Sequence, residues 1–221
     1  MRNHVVLFFI LFLFFDCYKV EAIEISDEAK RLTLLAEQGD IHAQADLGWL
    51  YRIGVGVPQD FDKAFKLLSS AYKGGSHRAE GALGLLYEHG QGVKQDYTMA
   101  AKLFLASAEK GEPKTQHNIG EFYEQGIGVE KNYKEAFKWF NKAARQGHSK
   151  GQISLASFYE KGIFVQKNDV TAYMWYLLAQ SSGKDIAINK AKEYKSILSS
   201  DKINLAQIRS SICLKSNFKI C

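Results

Sequence analysis

The chain is predicted to be all-α, a right-handed solenoid of antiparallel helix pairs with four 36-residue repeats between capping helices. Three observations predict it. The strings LGWLYRIGVGV from Leu47, LGLLYEHGQGV from Leu83, IGEFYEQGIGV from Ile119 and LASFYEKGIFV from Leu155 follow one another at 36 residues without an insertion. A period of that size marks a stack of supersecondary units. Within each unit the apolar residues recur at helical spacing, not at the alternation of a strand. The chain breakers are also sorted: 15 of the 18 glycines fall on the columns of Gly39, Gly48, Gly54 and Gly56, and there are only 2 prolines.

Residues 1–22 are expected to be a secretory leader. Arg2 and His4 precede an unbroken apolar run from Val5 to Phe15. That run is shorter than the roughly 20 residues a membrane helix needs, and it has the length of a leader's apolar region. Val20 and Ala22 stand at the −3 and −1 positions for cleavage before Ile23. Cys17 suggests a lipid-anchored alternative, but Phe14, Phe15 and Asp16 before it are not the small residues such processing requires. The expected product is exported, periplasmic or secreted, and does not span the membrane.

Residues 23–39 form the N-terminal cap. Ser26 to Gln38 matches the second helix of a unit without its partner, with Leu32, Leu35 and Gly39 lying 36 residues before Leu68, Ala71 and Gly75. The repeats then run 40–75, 76–111, 112–147 and 148–183. In the first, Ala43, Leu47, Leu50 and Tyr51 make one apolar stripe, and Gly54 can end that helix in the left-handed conformation. Asp60 stands where a side-chain oxygen caps the second helix, and Asp96, Asn132 and Asn168 repeat it. Ala64, Leu68 and Ala71 give the second helix its own stripe, and Gly48 lets the two helices approach closely. Phe164 replaces Gly56, Gly92 and Gly128 in the fourth unit, whose loop is therefore expected to differ.

Residues 184–221 read as C-terminal capping helices and tail. Ala187, Ala191 and Tyr194 mark one more first-type helix; Ser200 to about Ile212 marks a closing helix with Leu205 and Ile208 turned inward. Cys213 and Cys221 are an even pair in an oxidising compartment, which reads as one tail-closing disulfide, with two unpaired thiols as the alternative.

Composition excludes several classes. With 46% apolar and 24% charged residues the chain is not intrinsically disordered, and 3 cysteines do not make a disulfide scaffold. A net charge of +5 without a Lys/Arg block, on an exported chain, argues against nucleic acid as a partner. His42, His77, His89, His117 and His148 have no metal-binding spacing, and the recurring Gly-x-Gly follows a helix and lacks the third glycine of a nucleotide cradle. No cofactor, metal or catalytic residue is expected.

The LGxLYxxGxGVxxDxxKA string, followed by a helix ending in Ala-Ala-x-x-Gly, resembles the Sel-one-like repeat, a relative of the tetratricopeptide repeat. Ile119 to Gly147 shows the likeness best, and it extends from about Gly39 to Gly183. The resemblance implies a non-enzymatic scaffold or adaptor that holds a protein or peptide in its concave face. Exported bacterial members act in envelope assembly, signalling or host interaction. Cysteine-rich relatives have been linked to β-lactam binding or hydrolysis, which is the alternative reading. Ser-x-x-Lys occurs at Ser70/Lys73, Ser107/Lys110 and Ser181/Lys184, but at unrelated repeat positions and without Ser-Asp-Asn or Lys-Thr-Gly partners.

The repeat also locates a candidate surface. If positions 43, 47, 50 and 51 face the core, helical geometry turns 42, 46, 49 and 53 toward the concavity. One row is then His42, Arg78, Lys114 and Lys150, and another is Trp49, Leu85, Glu121 and Ser157. The candidate partner-binding residues are His42, Asp46, Trp49, Arg78, Leu85, Lys114, Glu121 and Lys150. Trp49 and Leu85 form an apolar anchor beside a basic strip suited to carboxylates. In the alternative, Trp49 and Leu85 pack between adjacent first helices and the basic row is ordinary solvated surface.

Overall fold

The computed structural model describes residues 25–221. The expected leader, with Cys17 and the Ala22 cleavage position, lies outside the described residues. Among those described there are eleven helices and no strand. They are α1 Asp27–Glu37, α2 Ile41–Ile53, α3 Phe61–Lys73, α4 His77–His89, α5 Tyr97–Glu109, α6 Pro113–Gln125, α7 Tyr133–Ala144, α8 Ser149–Lys161, α9 Asp169–Gln180, α10 Asp185–Ile197 and α11 Ser200–Lys215. No described helix is long and apolar enough to cross a membrane. The four repeats supply the pairs α2/α3, α4/α5, α6/α7 and α8/α9. Each pair packs on the next, and α10 and α11 both close on α9.

Local chemistry sets the helix limits. Asp60, Asp96, Asn132 and Asn168 each accept a hydrogen bond from a backbone N–H in the first turn of the second helix they precede. That satisfies donors the helix itself leaves free. The first helices all stop at a left-handed glycine, with φ of 69°, 65°, 77° and 69° at Gly54, Gly90, Gly126 and Gly162. Pro113 opens α6, where its missing N–H removes no helical bond.

The core is a column of apolar clusters along the solenoid. Ala64, Leu68 and Ala71 on α3 are fully buried, as are Ala136, Phe140 and Ala143 on α7. Edge-to-face aromatic pairs lock successive repeats together, Phe65 with Tyr87 at 5.7 Å, Phe104 with Phe122 at 5.4 Å and Phe140 with Phe158 at 5.5 Å between ring centroids.

Two local expectations are corrected. The fourth loop keeps the conformation of the others: Phe164 has φ 63°, against 68°, 67° and 65° at Gly56, Gly92 and Gly128. The repeat geometry on either side dictates the turn, and Phe164 accepts it with its ring against Phe137, 5.6 Å away. In α11, Leu205 and Ile208 point outward instead of inward. Ala206 and Cys213 face the core and are fully buried. The small residues let α11 approach α9 closely, and the Cys213–Cys221 disulfide folds the tail back on that side.

Candidate functional site

The outward stripes of α2, α4 and α6, with the end of α5, enclose an open cavity of about 660 Å³. Asp46, Trp49, Arg78, Leu85 and Lys114 all line it, so five of the eight expected residues converge on one hollow. Its floor is made by Ala45, Gly81 and Ala82, residues too small to fill the space. Trp49 is 36% exposed, and the Arg52 guanidinium lies 5.1 Å over its ring. A half-exposed indole held by a cation is a rigid apolar surface facing solvent.

The charges around the hollow are partly committed. Arg78 pairs with Asp46 at 3.1 Å. Lys110 donates to Oε1 of Glu80 and meets Nδ1 of His77 at 2.7 Å. Lys114 stands at the start of α6 and makes no ion pair among the described residues. It is the cation most available to a ligand. His77, Ser107, Lys110, Glu112, Thr115 and Asn118 also line the hollow and were not among the expected residues. Asn118 shares the repeat column of Asp46, so periodicity could have found it. Lys110 comes from the end of a second helix, which no first-helix pattern indicates.

The other three expected residues lie elsewhere. His42 is exposed near the start of α2, outside the hollow. Glu121 and Lys150 belong to the next stretch of the same face, around His117, which is only 3% exposed. His117 Nδ1 lies 3.4 Å from Glu121 Oε2, Nε2 lies 3.3 Å from Ser154 Oγ, and its ring centre is 5.4 Å from that of His148. Burial, aided by the positive charges of His148 and Lys150, pushes the His117 pKa down to about 4. Burial likewise raises the carboxyls of Glu88, Glu121 and Glu124 above the ordinary range. A second hollow of about 360 Å³ follows, where Glu160 accepts hydrogen bonds from Tyr176 Oη at 2.6 Å and Lys190 Nζ at 2.7 Å. Burial alone would raise the Glu160 carboxyl, but those two donors outweigh it and hold it low.

The Ser-x-x-Lys pairs lie at three separate places in the fold. Ser70 and Lys73 are exposed at the end of α3, and Ser181 and Lys184 at the end of α9 and the turn after it. Ser107 and Lys110 reach the hollow, but Ser107 Oγ accepts from Thr115 Oγ1 at 3.0 Å while Lys110 serves Glu80 and His77. Among the described residues no cluster of three or more His, Cys, Asp or Glu side chains could hold a metal ion.

Comparison with known proteins places this geometry. The family model described as Sel1 repeat matches residues 41–76, 77–112, 113–148 and 149–183. No curated protein matches the chain. Solved structures do. The chain is similar to c5321, a protective antigen present in uropathogenic Escherichia coli strains, with 36% identity, a TM-score of 0.68, and 73% of this chain and 35% of that one covered. It thus spans about a third of the length of that antigen. It is also similar to a Sel1 repeat protein from Oxalobacter formigenes, at 27% identity and TM-score 0.67, covering 82% of this chain and 81% of the other. Immunity protein Pa5087 from Pseudomonas aeruginosa, at 21% identity and TM-score 0.52 over 86% of this chain and 74% of that one, shares the fold. Four consecutive matches over the helix pairs just described establish that the chain belongs to the Sel1 repeat family.

Proposed function

We propose that the chain is an exported, non-enzymatic adaptor that holds a protein or peptide segment in the hollow between α2 and α6. The observation that carries the reading is the hollow itself: a half-exposed Trp49 and Leu85 beside Arg78 and Lys114, over a floor of small residues. An apolar side chain of the partner enters against the indole, and a carboxylate of the same segment reaches Lys114. Aromatic anchors and arginines of this kind carry much of the free energy in protein interfaces. The leader-like residues 1–22 support export, and the family's general role as an interaction scaffold supports a protein partner. The setting we propose is the bacterial envelope or the contact with a host.

The test is capture of partners from the producing cell by the chain and by a Trp49→Ala/Lys114→Glu double variant. Both positions are exposed or half-exposed, so the variant should keep its helical signal. Loss of the captured protein with an unchanged fold is expected. Undiminished capture by the folded variant contradicts the hollow as the binding site.

A further inference from the structure

α11 presents an apolar stripe that no described segment covers. Leu205, Ile208 and Ile212 lie at i, i+3 and i+7 on one side of the helix and are 42%, 58% and 46% exposed. The helix cannot roll to hide them, because Ala206 and Cys213 hold its other side against α9 and the Cys213–Cys221 disulfide pins the tail there. Ile220, largely exposed, lines a small hollow with Ile212 and enlarges the apolar area next to the stripe. Lys202, Asn204, Gln207 and Arg209 are exposed around the stripe, which is therefore a narrow apolar seam with polar flanks.

The stripe ends in charge at both sides. Asp201, Leu205, Ile208, Ile212 and Lys215 follow one another at steps of four, three, four and three residues, the spacing of a coiled-coil seam. Asp201 and Lys215 are both exposed, and neither makes an ion pair among the described residues. Each is seven residues from Ile208. A second α11 laid antiparallel, with the two-fold axis at Ile208, sets Ile208 against Ile208 and interleaves Leu205 with Ile212. It also places Asp201 beside Lys215 of the second copy at both ends. Parallel pairing would set like charge on like charge at each end, so the charge pattern selects the antiparallel arrangement. Arg209 falls beside Gln207 of the second copy in this register, and no cation meets a cation.

We propose that α11 is a self-association face through which two copies of this chain form a two-fold dimer by antiparallel pairing centred on Ile208. Such an interface is isologous and closes on itself. It uses none of the residues that line the α2–α6 hollow, so it stands or falls separately from the binding role. A seam about 21 Å long, from Asp201 to Lys215, suits a reversible dimer.

Sedimentation velocity on the purified chain, produced from the full coding sequence, tests it over about 1 µM to 1 mM. A monomer–dimer equilibrium is expected. Ile208→Asp sets two carboxylates across the axis and should weaken dimerisation about a hundredfold; Ile208 is exposed, so the fold should be unaffected by circular dichroism. Asp201→Lys should weaken it about fivefold, since the lost pairs are exposed, and Asp201→Lys/Lys215→Asp should return it to within about twofold. Ile208→Cys should form a disulfide between copies under oxidation. A chain that stays monomeric over the range overturns the proposal. So does a dimer indifferent to Ile208→Asp, a charge swap that fails to restore pairing in a folded variant, or an Ile208→Cys chain that forms no crosslink.

Discussion

The ring of Phe104 lies against Gly84 so closely that a Cβ at position 84 would stand 2.6 Å from Phe104 Cε1. The same relation recurs one repeat later between Gly120 and Phe140, again at 2.6 Å, and in the first repeat between Gly48 and Leu68 at 2.8 Å. In the first three units the first helix thus presents bare backbone to a large buried side chain of the second; the fourth has Ala156 in this column. Phe104 and Phe140 are fully buried, so their rings have nowhere to retreat. Alanine would gain up to about 1 kcal/mol of helix propensity but would overpack the seam by about 1–3 kcal/mol. Gly84→Ala and Gly120→Ala should therefore each lower stability by about 1 kcal/mol, and Gly84→Val should lower it further. Thermal or urea unfolding of the three variants reads this.

Phe164 occupies a left-handed position, φ 63°, that its counterparts fill with glycine. The conformation disfavours a residue with a Cβ by about 1–2 kcal/mol, and the ring, more than half exposed, recovers part of that through Phe137. Phe164→Gly should raise stability by about 0.5–1 kcal/mol. The melting temperature of the variant checks it.

These two relations show how much the sequence carried. The 36-residue columns located the helices, their caps and the buried stripes, because spacing, cap chemistry and packing agree in every unit. Periodicity also turned positions 46, 49, 78, 85 and 114 toward one side, and all five meet in the hollow. Lys110 and His77 escaped because their contribution depends on where the end of α5 comes to rest against α4, a tertiary relation. The inward face of α11 differs from the expectation for a similar reason. Large apolar residues suggested one face, while the disulfide and the close approach of α9 favoured the small residues Ala206 and Cys213.

Glu80 is 6% exposed, and its Oε2 has no hydrogen-bond partner, so Lys110 at Oε1 is the partner that offsets its burial. Removing the cation leaves a buried carboxylate alone, whereas removing the carboxylate leaves a half-exposed lysine that water can solvate. Lys110→Met should accordingly cost about 2 kcal/mol and Glu80→Gln less than about 1 kcal/mol. Denaturant unfolding at neutral pH distinguishes the two.

His117 binds its proton more weakly in the folded chain, at a pKa of about 4, than at its ordinary 6.5. The unfolded chain therefore takes up the proton first as pH falls. The stability associated with neutral His117 is complete above pH 6.5, declines from there, and is lost by about pH 4. Its size is about 3 kcal/mol. Glu88, Glu121 and Glu124 are raised by burial and act in the opposite sense, adding stability as they protonate at the acid end. In His117→Leu the histidine contribution is gone. Wild-type stability measured relative to the variant should fall by about 3 kcal/mol between pH 6.5 and about 4, read by urea unfolding across the range.

Site-specific photocrosslinking tests the binding role most directly. A benzophenone amino acid is placed at Leu85 in the hollow, or at Tyr72, which is exposed on α3 outside it, and the producing cells are irradiated. The expected result is a discrete adduct from position 85, reduced at least about fivefold by Lys114→Glu and absent from position 72. Adducts that form equally at both positions, or none at position 85, would contradict a partner held between α2 and α6.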